Sequence, residues 1–98
     1  MNLPVACTLS PETLAARRAG LLPGLAREAE AREETPDGLR LRFVADYLQR
    51  IAAVVDAERQ CCRFLRFDLT VEPDGGPVWL ALSGPAGTKE VLAALIDG

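Results

Sequence analysis

The stretch FLRFDLTVEPDGGPVWLALS, residues 64–83, decides the fold of this chain. Apolar residues alternate with polar or small ones on both sides of the turn sequence Pro-Asp-Gly-Gly-Pro. The apolar set that the alternation puts on one face is Phe67, Leu69, Val71, Val78, Leu80 and Leu82. Such alternation around a glycine-rich turn predicts an antiparallel β-hairpin that buries one face.

The sequence before the hairpin predicts two further strands and a first helix. Residues 3–9 alternate like a short edge strand, and Ser-Pro-Glu at residues 10–12 is typical of a helix start. Proline and glycine at residues 23–24 predict a kink there, or a division into two shorter helices. The charged run 28–34 predicts a helix end or a loop. Residues 39–43 alternate again and predict a half-buried strand.

Two more helices complete the predicted architecture. One covers about residues 46–62, and the other starts near Thr88, which we expect to cap it. The resulting order is β-α-β-α-β-β-α. This order predicts an α+β fold, a two-layer α/β sandwich of about four strands with helices on one face. With 98 residues there is room for one hydrophobic core, so we expect a single domain over residues 1–98.

Composition disfavours several classes of protein. The formal net charge of −3 argues against general nucleic-acid binding, which needs a basic excess. The chain contains no histidine, which removes imidazole from catalysis and metal ligation. We find no signal-peptide pattern and no run of the roughly 18 apolar residues that a membrane span needs. We therefore expect a cytoplasmic protein with no membrane partner, and the lack of any base other than carboxylates disfavours an enzyme.

The second predicted helix carries the most chemistry. On a helical wheel Glu58 and Cys62 each lie about 20° from Ile51, at the centre of the apolar face, and Cys61 lies at its margin. Arg59 points outward. Residues four apart on a helix are neighbours, so the carboxylate and the thiol should meet. We take Glu58, Cys62 and Arg59 as candidate ligand-binding residues.

Three interpretations of this cluster are open. The cysteines are small core residues and Glu58 pairs with an arginine, since buried free cysteine is often inert. Alternatively, Cys61 and Cys62 bind a soft metal ion such as copper(I), zinc or mercury(II), with Glu58 as a further ligand or proton acceptor. In the third interpretation, nearby arginines lower a thiol pKa and the cysteine reacts with oxidants or electrophiles.

Geometry bears on how the cysteines combine. Adjacent α-carbons are about 3.8 Å apart, below the usual disulfide window of about 4.4 to 6.8 Å. A bond between Cys61 and Cys62 would be strained and would require that the helix has ended. Cys7 is a possible third metal ligand. If the first two predicted strands are parallel, however, Cys7 lies at the opposite end of the sheet from Cys62.

A different class of function follows from Trp79. It alternates onto the polar face of the hairpin, and an exposed tryptophan there suggests a surface for a partner or a second copy. The alternative to a thiol-centred site is therefore a non-catalytic interaction domain with structurally buried cysteines, for which the open sheet face is the candidate surface of a homodimer.

The run ERQCCRFLRF, followed by VEPDGGPVWL, resembles a set of short bacterial proteins that share an E-R-x-C-C-x-F-L-x-F motif and a glycine-rich hairpin. The similarity covers most of the chain, and the paired cysteines Cys61 and Cys62 are its most specific part. The resemblance implies no established activity. Some of these proteins occur in heavy-metal resistance settings, which favours the soft-metal interpretation. The C-x-x-C loop of small metallochaperones is absent.

Overall fold

The computed structural model describes residues 22–97, without the side chain of Cys61. In chain order the helices are α1 (Leu22–Arg27), α2 (Leu48–Cys61) and α3 (Thr88–Ile96), and a 3₁₀ turn at Ala45–Tyr47 leads into α2. The strands are β1 (Ala31–Thr35), β2 (Gly38–Phe43), β3 (Arg66–Val71) and β4 (Val78–Ser83). The strands predicted at 3–9 and the helix start at 10–12 lie outside the described residues.

The four strands form one antiparallel sheet in the order β1-β2-β4-β3. The α+β prediction is therefore confirmed. The hairpin of β3 and β4 is also confirmed, with Arg66 opposite Ser83 and Val71 opposite Val78. Its turn places Asp74 and Gly75 in the left-handed region, at φ 59° and 71°. Glycine adopts that conformation without a steric penalty, which explains why the turn sequence is Asp-Gly.

The prediction that residues 28–34 form a helix end or loop is confirmed for residues 28–30 and was wrong for residues 31–34. Ala31–Thr35 is an edge strand, paired with β2 across a two-residue turn. It lacks an apolar alternation because both of its faces carry charges. On one face Glu33 forms an ion pair with Arg40 of β2, and such cross-strand pairs stabilise a strand that buries little.

One hydrophobic core lies between the sheet and the helices. Leucines of β2 and β4 supply the sheet side, and each helix contributes apolar residues from one face. The most buried members are Leu22, Leu25, Leu41, Phe43, Ile51, Leu80, Leu82 and Leu92. The opposite face of the sheet carries polar side chains. Within residues 22–97, no helix has the length and apolar character needed to cross a membrane.

Candidate functional site

Glu58 and Cys62 are both buried in the core, as the helical wheel predicts. Ile51, Val54 and Glu58 recur on the inner face of α2, and Cys62 continues this face just after the helix ends. Glu58 and Cys62 are each about 1% exposed. Glu58 is also engaged by a partner, so it is not an isolated buried charge. A partnered carboxylate is compatible with a core position.

The backbone at Cys62 ends the helix and starts the turn into β3. Its φ and ψ are −104° and 72°, outside the helical region. Its amide still donates to the carbonyl oxygen of Glu58 at 2.8 Å, and its own carbonyl accepts from the amide of Leu65 at 3.1 Å. Cys62 therefore holds the connection between α2 and β3 as well as filling the core.

The sulfur of Cys62 is part of a disulfide. The sequence contains two other cysteines, Cys7 and Cys61. A sulfur in a disulfide is not a thiolate, and the thiolate is the form that binds metals and attacks electrophiles. Among the residues that the structure describes, no group of three or more Cys, Asp or Glu side chains is arranged to hold a metal ion.

Arg59 does not join Glu58 and Cys62. It is exposed on the outer face of α2, where its guanidinium binds the carboxylate of Asp56 at 2.8 and 3.0 Å. Arg63 is exposed as well. Of the three predicted ligand-binding residues, the structure thus buries Glu58 and Cys62 in the core and leaves Arg59 on the surface.

Trp79 lies on the open face of the sheet, beneath two arginines. The guanidinium carbon of Arg40 is 4.4 Å from the centre of the indole ring, and that of Arg42 is 5.9 Å away. Both distances are within the range of cation–π attraction. Glu33 in turn binds Arg40 through its carboxylate, at 2.7 Å from the Nε atom. The tryptophan is half-buried by its own chain, so this face is a charged surface rather than an apolar one.

The loop before α3 is closed by its own hydrogen bonds. It borders a depression of about 310 Å³ lined by Pro36, Asp37 and residues 84–90. The helix starts at Thr88 as predicted, but the residue before it, Gly87, occupies the cap position. The Thr88 hydroxyl instead donates to the carbonyl oxygen of Pro85 at 2.6 Å, so its role is to fix the turn.

An apolar surface appears where sequence reasoning did not expect one. Leu69 and Val71 of β3 point to the same sheet face as the core, yet they are 42% and 55% exposed. Their direct neighbours on β4, Leu80 and Val78, are almost completely buried. The alternation of β3 predicts the inward direction but not the exposure, because exposure depends on β3 being the last strand of the sheet. We call Leu69 and Val71 the β3 apolar edge.

Charged side chains cover the other edge of the sheet, which is formed by β1. On its core-facing side Arg32 of β1 binds Asp97 at the end of α3, and Glu34 lies 3.4 Å from the ammonium of Lys89 at the start of α3. Charged and covered edge strands are protected from pairing with other chains. Within residues 22–97 the two edges of this sheet therefore differ, and β3 is the edge that no charged contact or helix covers.

No protein-family model, no curated protein and no solved structure matches the chain. Function is therefore inferred from the residues and their geometry. Over residues 22–97 they define a small α+β domain in which Glu58 and the disulfide-bonded Cys62 are both buried and the β3 apolar edge is exposed.

Proposed function

We propose that this chain is a non-catalytic interaction domain that self-associates through the β3 apolar edge. The observation that carries the proposal is the exposure of Leu69 and Val71, at 42% and 55%, on the face that is buried everywhere along β4. Adjacent exposed aliphatic side chains at a strand edge are typical of a surface that another chain covers.

The main chain of β3 adds to this tendency. An edge strand presents unpaired amide and carbonyl groups along one side, and these groups gain hydrogen bonds when another strand docks. β3 contains no proline, and its six residues hold one cation and one anion. β1 has three charged residues in five, and ion pairs tie it to α3. Self-association through β3 is therefore favoured over self-association through β1.

The burial of Glu58 and Cys62 supports a structural role for the cysteine segment within this function. Both side chains are shielded from water, and the packing around Cys62 joins α2 to β3. This segment therefore supports the strand that carries the β3 apolar edge. In the proposed function it does not contact a ligand.

The proposal is tested by the size of the protein in solution. We expect sedimentation equilibrium to give a dimer, and the double variant Leu69→Thr with Val71→Thr to raise its dissociation constant at least tenfold. Threonine is β-branched, which suits a strand, and it removes apolar surface at both positions. Thr70→Ser is the matched control, because it lies on the opposite face of the same strand, and it should leave the constant unchanged. A wild-type protein that stays monomeric at all accessible concentrations contradicts the proposal.

A second candidate is a redox-responsive thiol site, and the disulfide at Cys62 favours it. We expect the protein to be cytoplasmic, and in that compartment disulfides are uncommon and usually redox-active. Reduction would give a thiol beside Glu58 and two adjacent cysteine thiols, which are ligands for soft metals. The resemblance to proteins in heavy-metal resistance settings agrees with this function.

Native mass spectrometry separates this candidate from the first. The reduced protein would bind copper(I) or mercury(II), the oxidised protein would not, and Cys62→Ser would lose the binding. Equal binding by the reduced wild type and by Cys62→Ser would exclude a site centred on Cys62. Neither result depends on whether the protein dimerises.

A further inference from the structure

We infer that β3 pairs with β3 of a second copy, antiparallel, with Leu69 opposite the partner's Leu69 at the two-fold axis. The inference rests on the proposed function and adds the geometry of the dimer. Within residues 22–97 the outer side of β3 carries no strand. Pairing there would extend two four-stranded sheets into one of eight strands, with both helical layers on the same side.

The alternation of side chains restricts the possible registers. In an antiparallel pair, directly opposite residues point to the same face, and a shift by one residue reverses every side chain. The dimer has a two-fold axis perpendicular to the sheet. Directly opposite residues share a face only when this axis passes between a residue and the same residue of the second copy. An axis at Val71 would set Leu69 opposite the partner's Pro73, beyond the end of the strand. The candidate axes that pair the apolar edge with strand residues are therefore those at Asp68, Leu69 and Thr70.

Charge selects among these three axes. An axis at Asp68 places this carboxylate opposite the partner's Asp68. An axis at Thr70 places Asp68 opposite the partner's Glu72. Like charges directly opposite each other destabilise a strand pair. Only the axis at Leu69 avoids both contacts.

The axis at Leu69 also produces attraction on both faces. On the polar face it sets Arg66, whose Nε also binds Asp68 of its own strand at 3.1 Å, opposite the partner's Glu72, and by symmetry this ion pair occurs twice. On the apolar face it sets Val71 opposite the partner's Phe67, beside the central pair of Leu69 residues. Phe67 is partly buried and already packs against the core. In the dimer, the side chains of the β3 apolar edge therefore join the hydrophobic cores of both copies.

Reversing the two charges tests the register. We expect Arg66→Glu and Glu72→Arg each to raise the dimer dissociation constant about tenfold, because each turns two attractive cross-strand pairs into repulsive ones. An equimolar mixture of the two variants should form a heterodimer close to wild-type affinity. In that heterodimer one chain has glutamate at both positions 66 and 72, the other has arginine at both, and each of these glutamates faces an arginine of the other chain. Size is measured by sedimentation, with one chain carrying a fluorescent label.

The matched control is Arg63→Glu, which makes the same change of charge at an exposed residue outside the strand. We expect it to leave the homodimer unchanged and to give no restoration when mixed with Glu72→Arg. Thermal unfolding of each variant confirms that the fold is retained. If the wild type dimerises but the charge reversals have no effect, the strand pairing is wrong and the proposed self-association stands. If the wild type is monomeric, both are wrong.

Discussion

The guanidinium of Arg32 binds the carboxylate of Asp97 through two hydrogen bonds of 2.8 and 2.9 Å, across 65 residues of sequence. Arg32 belongs to the edge strand β1, and Asp97 is the residue at which α3 ends. The bidentate geometry matches the planar guanidinium to the carboxylate. The pair fastens the last helix over one edge of the sheet, and nothing comparable fastens a helix over the β3 apolar edge in the part of the chain described.

This ion pair predicts a loss of stability in acid. The hydrogen bond from Arg32 lowers the pKa of Asp97 below its ordinary value. A carboxyl group whose pKa is lower in the folded state stabilises the fold above its unfolded pKa, and the stabilisation is lost as the pH falls through the folded pKa. We expect the urea midpoint to fall over this range, starting near pH 4.

Asp97→Asn is the control for that experiment. Its urea midpoint should be slightly lower than that of the wild type at neutral pH, and the two should converge in acid. Because the pair is exposed, added salt should also reduce the difference. Parallel curves for the two proteins across the whole pH range would show that the pair does not contribute.

Gly38 allows β2 to approach β4 closely. A Cβ built on Gly38 would overlap the carbonyl oxygen of Leu82, and this is a backbone atom that cannot rotate away. We expect Gly38→Ala to destabilise the protein by about 3 kcal/mol, the upper end of typical overpacking costs. Gly75→Ala is a useful comparison, because nothing lies within 4 Å of its Cβ position although its φ is 71°. If chemical denaturation gives Gly38→Ala the stability of the wild type, the tight contact is not real.

The disulfide at Cys62 predicts the number of free thiols and a response to reductant. The chain has three cysteines, so the oxidised, denatured protein should react with one equivalent of a thiol reagent, and the reduced protein with three. Disulfide stabilisation grows with the length of the loop that the bond closes, so reduction should lower the free energy of unfolding by about 2 to 4 kcal/mol for a bond to Cys7 and by much less for a bond to the adjacent Cys61. Three reactive thiols without reductant would contradict the bond.

The variant Cys62→Ala tests whether the response to reductant comes from this disulfide. It should be destabilised relative to the oxidised wild type, because it lacks both the bond and a buried sulfur. Its stability should then be insensitive to reductant. Peptide mapping of the oxidised wild type identifies which of Cys7 and Cys61 is the second half of the bond.

Trp79 is predicted to stabilise the monomer and not the dimer. Its ring is covered by Arg40 at 4.4 Å, so Trp79→Ala removes packing and a cation–π contact within the chain. We expect a loss of about 1 to 2 kcal/mol in the free energy of unfolding and an unchanged dimer dissociation constant. Dissociation of the dimer by Trp79→Ala, with the monomer equally stable, would move the interface to the open face of the sheet.

Local patterns in the sequence account for much of the fold. The alternation on both sides of the Pro-Asp-Gly-Gly-Pro turn is enough to predict β3 and β4, because strand and turn preferences act over a few residues. The wheel of α2 predicts the burial of Glu58 for a similar reason. β1 is missed because its sequence, AREET, is stabilised by cross-strand charges that exist only once β2 lies beside it.

The candidate site depends on which strands and which sulfurs come together in the fold. Local sequence patterns do not contain this information. Leu69 and Leu80 hold equivalent positions in the alternating patterns of their strands. Their exposure differs because β4 is central in the described sheet and β3 is at its edge. The disulfide is hidden for a comparable reason. The sequence shows three cysteines but not which of them are bonded, because bonding is decided by the position of the sulfurs in the folded chain.

The strand order also governs how this protein can form during synthesis. β2 finds its inner neighbour, β4, only when residues 78–83 have been made, since Gly38 pairs with Ser83. Until then the nascent chain carries the apolar residues Leu39, Leu41 and Phe43 with only the charged edge strand β1 beside them. At about 5 to 20 residues per second, this interval lasts several seconds, and it is the period in which a chaperone has most to protect.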